Sequence, residues 1–374
     1  MFNYQVLVKF IKNPYAWGFV IFWVLMLVAC FTMWILDDHK NNKREKIERS
    51  LFWLFGIAML LFVIFRPIGI ARDDSGYLEY YKTICPTFIC DQWIQGTRDQ
   101  GWFSLVGILK SLFQDPKVML FLGAVGLLVK LMVIYRLVER PLIVLLLYCG
   151  LYYQVQDLTA WRVSLAIAFF MLTIWFVVRT KGYWCAWIFI LCGFFHKQAF
   201  LAPLVIVGAL LRQHRKLIIL ICMVPTVLLT LGIYPLLHLM TFKMVAGFRE
   251  IALNQGLDTY IAAKLAGVYT GWRHAPTVVY PQILLTLWLV IKAPPKNEKL
   301  DTMMVGCLVV SCLFLWAFAS LPDAQVRFFE FFMVPTVLLV GGRRLYGFEF
   351  TAVVLLSGLL LSKYNFVHHL ILQP

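Results

Sequence analysis

A polar segment that directly follows an apolar run holds the residues best suited to chemistry. It contains Arg66, the acids Asp73 and Asp74, and the aromatic residues Tyr77 and Tyr80. If the segment is helical, Asp73, Tyr77 and Tyr80 lie on one face at spacings i, i+4 and i+7. Tyrosine rings cover the apolar face of a sugar, and an aspartate accepts bonds from its hydroxyls or removes a hydroxyl proton. The pattern predicts a glycan site in which Arg66, Tyr77 and Tyr80 bind and Asp73 or Asp74 is catalytic.

A second set of residues stands at the ends of two later apolar runs. Trp161 and Arg162 open one run, and His196 and Lys197 close the next. Because the joint between the runs is very short, we expect antiparallel neighbouring helices with Arg162 near His196. An arginine fork binds a diphosphate through two bonds and a lysine adds a point charge, so Arg162, Lys197 and Arg327 are predicted to bind phosphate. His196 is predicted to act as a base or to orient the acceptor.

Two further residues complete these sets, and each set has a structural alternative. Arg72 is assigned to the diphosphate set and Trp161 to the glycan set. The alternative for Asp73 and Asp74 is that they cap a surface helix and pair with Arg72. The alternative for Arg162 and the other basic residues is that they extend towards lipid headgroups at the membrane surface.

Transmembrane helices must position these residues. The chain has 374 residues, of which 61% are hydrophobic and 14% charged, against about 25% charged in a soluble domain; its mean hydropathy is +0.80. Apolar runs from Trp17–Leu36 to Phe350–Leu361 alternate with short basic joints. This pattern predicts an all-α polytopic integral membrane protein with about twelve transmembrane helices, in a range of about 11 to 14. No internal repeat or linker is visible, so one transmembrane domain over residues 1–374 is expected.

The distribution of charge predicts the orientation and the kind of partner. The basic segment from Asp37 to Arg49 is expected to stay in the cytoplasm, which places residues 71–117 and 235–275 at the outer face. The net charge of +15 comes from lysines and arginines in short joints, so membrane lipids are expected partners and nucleic acid is not. The basic residues of the outer segments need an anionic and lipid-linked substrate.

Neither a metal nor a cofactor is expected from the sequence. The seven histidines fall on different segments and lack the spacing of a zinc site. No glycine-rich nucleotide loop is present, so the leaving group arrives already activated on a lipid carrier. Cys85 and Cys90 flank Pro86 in an outer segment and would form a disulfide in an oxidising compartment.

Four blocks of sequence, taken in order, are similar to a known family. They are Arg66 and Gly69 with Asp73 or Asp74, Tyr77 and Tyr80; Trp161 to Ala166; His196 to Ala199; and Arg327 to Phe332. This order resembles the EpsG-like family of bacterial polysaccharide polymerases, within the O-antigen polymerase (Wzy) class. The chain departs from the family pattern in its doubled acid, in Gln198 where a small hydroxyl residue is usual, and in Phe331 where a tyrosine is common.

The resemblance implies a GT-C-like glycosyltransferase in the bacterial inner membrane, with its active site facing the periplasm. It would join repeat units carried on undecaprenyl diphosphate, without metal and with inversion at the anomeric carbon. Arg162, Lys197 and Arg327 would hold the diphosphate, and His196 or Asp73 would activate the acceptor. Asp74 and Glu330 stay open as alternative bases, and so does a chain-length regulator as a partner.

Other classes of function are compatible with parts of this pattern. A flippase for lipid-linked oligosaccharide also needs a basic cavity, but it is expected to show matched halves and charges at mid-membrane depth. A membrane acyltransferase that uses His196 and a non-catalytic membrane scaffold are the remaining alternatives.

Overall fold

A computed structural model describes residues 14–36, 42–69, 71, 73–84, 100–179, 182–230, 276–292, 297–317, 322–342 and 345–363. These residues are mostly helical and contain no strand, as the all-α prediction requires. Five of their helices are long and apolar enough to cross a membrane: Trp17–Ile35, Lys43–Phe65, Val118–Leu137, Trp161–Val178 and Glu298–Ala317. Shorter apolar helices accompany them, and the predicted number of about twelve crossings stays a prediction.

The described residues fall into two compact units, one drawn from Met1–Phe200 with Val340–Pro374 and the other from Leu201–Leu339. The predicted single transmembrane domain stays a prediction. The helices of the first unit are α1 (Pro14–Ile35), α2 (Asn42–Phe65), α3 (Asp74–Thr83), α4 (Gln100–Leu112), α5 (Val118–Leu137), α6 (Pro141–Tyr148), α7 (Trp161–Val178) and α8 (Gly182–Phe195). Those of the second unit are α9 (Pro203–Ala209), α10 (Arg215–Thr230), α11 (Pro276–Lys292), α12 (Glu298–Ala317) and α13 (Pro322–Met333), and α14 (Gly347–Lys363) returns to the first.

Helix α7 packs against α5 through two glycines. An added Cβ at Gly123 would lie 2.8 Å from Cδ1 of Trp161, and one at Gly126 would lie 2.9 Å from Oγ of Ser164. Small residues at such positions let two helices approach closely inside a membrane. The first turns of α7 are therefore held tightly against α5.

Helix α7 also packs against α8, as the short joint between them predicts. The Cys192 thiol donates to the carbonyl oxygen of Ala166 at 2.9 Å. The rings of Phe169 and Phe195 stack with centroids 5.3 Å apart. Arg162 and His196, at the ends of these helices that are far from the joint, are therefore at the same end of the pair.

A change of helix type precedes α7. Helix α6 continues into a π-helical turn, Cys149–Tyr153, and a short α-helical turn, Gln154–Gln156. In a regular α-helix, residues nine apart point in opposite directions. The π turn changes that relation, so that Tyr148 and Asp157 bond to each other. Such π turns are often found at functional sites.

In the second unit, α9 packs closely against α12. An added Cβ at Gly306 would collide with the carbonyl of Val205. The ion pair between Arg212 and Asp301, with 2.6 Å between Nη2 and Oδ2, fixes the end of the segment that follows α9 to the first turn of α12.

Candidate functional site

An ion pair connects the end of α2 to the start of α3. Arg66 donates through Nη1 and Nη2 to the two carboxylate oxygens of Asp74, each at 2.7 Å. Their side chains are only 1% and 0% exposed. Asp74 Oδ2 also accepts the backbone N–H groups of Gly69 at 2.7 Å and Ala71 at 3.1 Å. A bidentate, charge-assisted pair of this kind fixes orientation as well as distance, so the turn between the helices is closed around Asp74.

The turn depends on the backbone of Gly69, whose φ is +106°. A side chain is strained at this φ even though the space around Gly69 is open. We expect Gly69→Ala to lower the free energy of unfolding by about 1–3 kcal/mol, measured by chemical denaturation of the purified protein.

Gly76→Ala is the matched control for that substitution. Gly76 is inside α3, with no atom within 4 Å of an added Cβ. Replacing a helical glycine by alanine stabilises by about 0.5–1 kcal/mol. Equal destabilisation by both substitutions would contradict the role assigned to the Gly69 turn.

The same arginine reaches the start of α7. Arg66 Nη2 donates to the carbonyl oxygen of Leu158 at 2.7 Å, and the guanidinium carbon lies 5.3 Å from the centroid of the Trp161 ring. The Tyr77 ring stacks on Trp161 with centroids 4.6 Å apart and an interplanar angle of 17°. We refer to Arg66, Asp74, Tyr77 and Trp161 as the Arg66 cluster.

A second charged cluster lies inside the span of α5. Lys130 Nζ donates to Asp157 Oδ1 at 2.7 Å, to Ser164 Oγ at 2.8 Å and to the Tyr148 hydroxyl at 2.9 Å. Tyr148 and Ser164 donate their hydroxyl protons to the two oxygens of Asp157. All four side chains are fully buried. An ion pair at this depth is expensive unless it is internally satisfied, and these bonds satisfy it. We call these four residues the Lys130 cluster.

The two clusters hold the same short segment, residues 157–164. Asp157 and Ser164 belong to the Lys130 cluster, whereas the Leu158 carbonyl and Trp161 contact Arg66. Arg162 lies within this segment and is half-buried. The backbone around Arg162 is therefore held from both sides.

The polar segment is helical and forms α3. The residues singled out in it from the sequence are not all on the buried face of this helix. The buried residues are Asp74, Tyr77 and Tyr81, whereas Asp73 and Tyr80 are half-buried. The pairing of Arg66 with Asp74 sets the rotation of the helix and turns Asp74, Tyr77 and Tyr81 towards the protein interior, and the glycan role of the face that Asp73, Tyr77 and Tyr80 share stays a prediction. Tyr80 packs against Phe103 with centroids 5.7 Å apart and an angle of 86°.

The alternative of a capped surface helix does not describe Asp74, which is buried and bonded to Arg66, and the pairing of Asp73 with Arg72 stays a prediction. Asp73 is at the N-cap of α3, but its side chain makes no capping hydrogen bond. Asp74 pairs with Arg66, whereas Arg72 lies outside the described residues.

Tyr81, in the last turn of α3, connects this helix to the end of α4. Its hydroxyl donates to the carbonyl oxygen of Phe113 at 2.5 Å. Burial, and secondarily the negative charge of Asp115, raise the pKa of Tyr81. The hydroxyl therefore keeps its proton at neutral pH, and the bond between α3 and the end of α4 persists.

His196 directly follows α8 and is buried. The preceding residue, Phe195, packs against the apolar cluster that contains Tyr77 and Trp161. The backbone N–H of Gln198 donates to Nδ1 of His196 at 3.3 Å. A donor at Nδ1 favours the neutral tautomer with its proton on Nε2. In that tautomer Nε2 is a hydrogen-bond donor.

The remaining predicted residues either lie outside the described residues or belong to the second unit. Arg72, Cys85 and Cys90 lie outside the described residues, as does the side chain of Lys197, which begins the 3-10 turn Lys197–Leu201. In the second unit, Arg327 is exposed on α13 and Glu330 is half-buried on the same helix. The phosphate-binding set and the disulfide stay predictions. Within the described ranges, no group of three or more His, Cys, Asp and Glu is arranged to hold a metal.

Sequence reasoning missed most of the Lys130 cluster. Lys130 stands in the middle of the apolar run that forms α5. A charge at that position within a transmembrane helix is itself a signal of function or of a buried partner. Tyr148 and Ser164 carry no comparable signal, because a single hydroxyl in an apolar run is common.

The helices and their buried charged clusters define a polytopic α-helical membrane protein with an arginine, Arg162, in the first turn of one span. The EpsG family model matches residues 49–366, and the chain therefore belongs to the EpsG family. This confirms the resemblance found in the sequence, and membership indicates a polysaccharide-polymerase-like membrane protein. No curated protein and no solved structure matches the chain.

Proposed function

We propose that the protein is a membrane glycosyltransferase that polymerises oligosaccharide repeat units carried on undecaprenyl diphosphate at the outer face of the inner membrane. The observation that carries the proposal is the EpsG family match, because it spans the Arg66 cluster, Arg162, His196 and Arg327 together. A family assignment over most of the chain supports a glycosyltransferase-like polymerase.

Arg162 is the residue proposed to bind the donor diphosphate most directly. In the reaction, an acceptor hydroxyl oxygen attacks the anomeric carbon, and the bond from that carbon to the diphosphate oxygen breaks with inversion. Negative charge develops on the departing diphosphate, and a fixed guanidinium stabilises it more in the transition state than before. The two clusters that hold residues 157–164 supply the rigidity that this requires. Arg72 and Lys197 are proposed as further ligands of the same group, and the phosphate-binding role of Arg327 stays a prediction from the sequence.

The described contacts favour Asp73 over Asp74 as the base that takes the acceptor proton. Asp74 is buried and both of its oxygens accept bonds from Arg66, with two further backbone donors on Oδ2. Asp73 is half-buried, which makes it the more accessible of the two acids to an acceptor. With its Nε2 as a donor, His196 is suited to orient the acceptor by donating a hydrogen bond rather than to remove its proton.

A positioning role is favoured for three residues that were predicted to contact the glycan. The faces of Tyr77 and Trp161 cover each other, and both residues are buried. Arg66 is bonded to Asp74 and to the Leu158 carbonyl. Arg66, Tyr77 and Trp161 are therefore proposed to position the site without contacting the glycan. Tyr80 is the half-buried member of the glycan set and is proposed to contact a sugar.

The Lys130 cluster is the observation that would favour a flippase, because Lys130 lies within the span of α5. However, every charge of that cluster has a protein partner at hydrogen-bond distance, whereas a transport site must exchange its partners for substrate. These contacts therefore favour a structural use of the charges.

Purified full-length protein in liposomes that contain lipid-linked repeat units separates the two functions. We expect longer glycans, resolved as a ladder on a gel. Movement of the repeat units between leaflets without any lengthening would overturn the polymerase proposal.

A further inference from the structure

A cavity lies at the opposite end of α2 from the Arg66 cluster. It is small and partly open to the surroundings. Its lining includes Trp34 of α1, Arg44 and Glu48 of α2, Arg140 before α6, and Phe350 of α14. All of these residues belong to the first unit, so the cavity is formed within one compact body.

The cavity carries a net positive charge. Arg44 and Arg140 contribute two guanidinium groups, and Glu48 contributes one carboxylate. Nη2 of Arg44 lies 3.9 Å from Oε2 of Glu48, and these side chains are 18% and 8% exposed. Guanidinium groups in a partly buried setting attract an anion more strongly than they would in bulk water.

The other walls are apolar and rigid. Trp34 and Phe350 stack with centroids 4.9 Å apart and an interplanar angle of 13°. Trp34 Nε1 donates to the carbonyl oxygen of Leu345 at 3.3 Å, which fixes the ring. Leu142 and Ile143 complete this side. A ligand of the cavity therefore meets charge on one side and apolar surface on the other.

The location along α2 places the cavity at a membrane surface. Arg44 and Arg66 are separated by a rise of about 33 Å at 1.5 Å per residue, which is close to the thickness of a hydrocarbon core of about 30 Å. If the Arg66 cluster lies at the outer face, the cavity lies at the cytosolic face. The predicted cytosolic basic segment from Asp37 to Arg49 ends in this region.

We propose that this cavity binds the headgroup phosphate of an anionic phospholipid of the cytosolic leaflet. Arg44 and Arg140 contact the phosphate oxygens, since an arginine fork matches phosphate geometry, and the wall of Trp34, Phe350 and Leu142 contacts the glycerol and the first acyl carbons. Basic cavities between transmembrane helices on the cytoplasmic side are suited to acidic lipid headgroups. The site is separate from the glycosyl-transfer site and does not depend on the proposed function.

The test is lipid binding to purified full-length protein in detergent, measured by native mass spectrometry with phosphatidylglycerol, cardiolipin and phosphatidylcholine as probes. The wild type is expected to retain the two anionic lipids in preference to phosphatidylcholine. Arg44→Gln and Arg140→Gln should each weaken retention of the anionic lipids about fivefold, the effect of one cationic side chain near a lipid surface. Millimolar inorganic phosphate should not displace the lipid.

Two further variants keep the result interpretable. Lys46→Gln removes one positive charge from an exposed position on the same helix and should leave retention unchanged. Glu48→Gln removes the negative charge of the cavity and should strengthen retention, whereas loss of structure alone would weaken it. Equal effects of Arg44→Gln and Lys46→Gln, weaker retention in Glu48→Gln, or displacement by inorganic phosphate would each overturn the proposal. Glycan lengthening is not the readout, so these outcomes leave the polymerase proposal unaffected.

Discussion

An Arg162→Ala variant is expected to insert and fold normally but to lose polymerisation by a factor on the order of 10²–10³, as when one preorganised transition-state donor is removed. The reason is that residues 157–164 are held by both the Arg66 cluster and the Lys130 cluster. The backbone around Arg162 then stays in place when its guanidinium is lost. The rate of glycan lengthening with purified protein measures the effect, and cells should accumulate single repeat units.

The chain offers a matched control on the same helix. Arg179 follows the other end of α7 and is exposed, so Arg179→Ala removes the same charge far from the proposed site. It should retain the wild-type rate. Arg162→Lys should fall between the two, because it keeps the charge but loses the planar fork. Normal chain lengths in Arg162→Ala cells would reject the diphosphate role of this residue.

The helices of the site were predictable because they depend on local patterns. The spacing in the polar segment was considered on the condition that it is helical, and it is helix α3; the apolar run that starts near Trp161 is α7. The neighbouring arrangement of α7 and α8 followed from the short joint between them. Each of these features depends on apolar periodicity or on the length of a connection, both of which one sequence displays.

The details that decide the site depend on tertiary contacts, which one sequence does not display. Asp73 and Asp74 are adjacent and chemically identical, and only the approach of Arg66 to Asp74 determines which of them faces inward. Lys130 and Asp157 are 27 positions apart. Their pairing follows from the packing of α7 on α5 and from the π turn after α6, neither of which is evident in composition or spacing.

A Lys130→Met variant is expected to be strongly destabilised, by about 3–5 kcal/mol, as when one partner of a buried ion pair is removed. Methionine fills a similar volume, but it leaves the Asp157 carboxylate buried with only the hydroxyls of Tyr148 and Ser164 as donors. The midpoint of chemical unfolding of the purified protein measures the loss. The amount of inserted protein in cells should fall with it.

The double variant Lys130→Met, Asp157→Asn tests whether charge is the cause. It removes both charges together, and a buried pair replaced in this way loses much less stability than a pair with one partner missing. We expect it to recover most of the unfolding free energy, because the amide that replaces the carboxylate still bonds to the Tyr148 and Ser164 hydroxyls. If the double variant unfolds as easily as Lys130→Met alone, the hydrogen bonds that Lys130 Nζ donates to Tyr148 and Ser164, and not its charge, hold α5 against the start of α7.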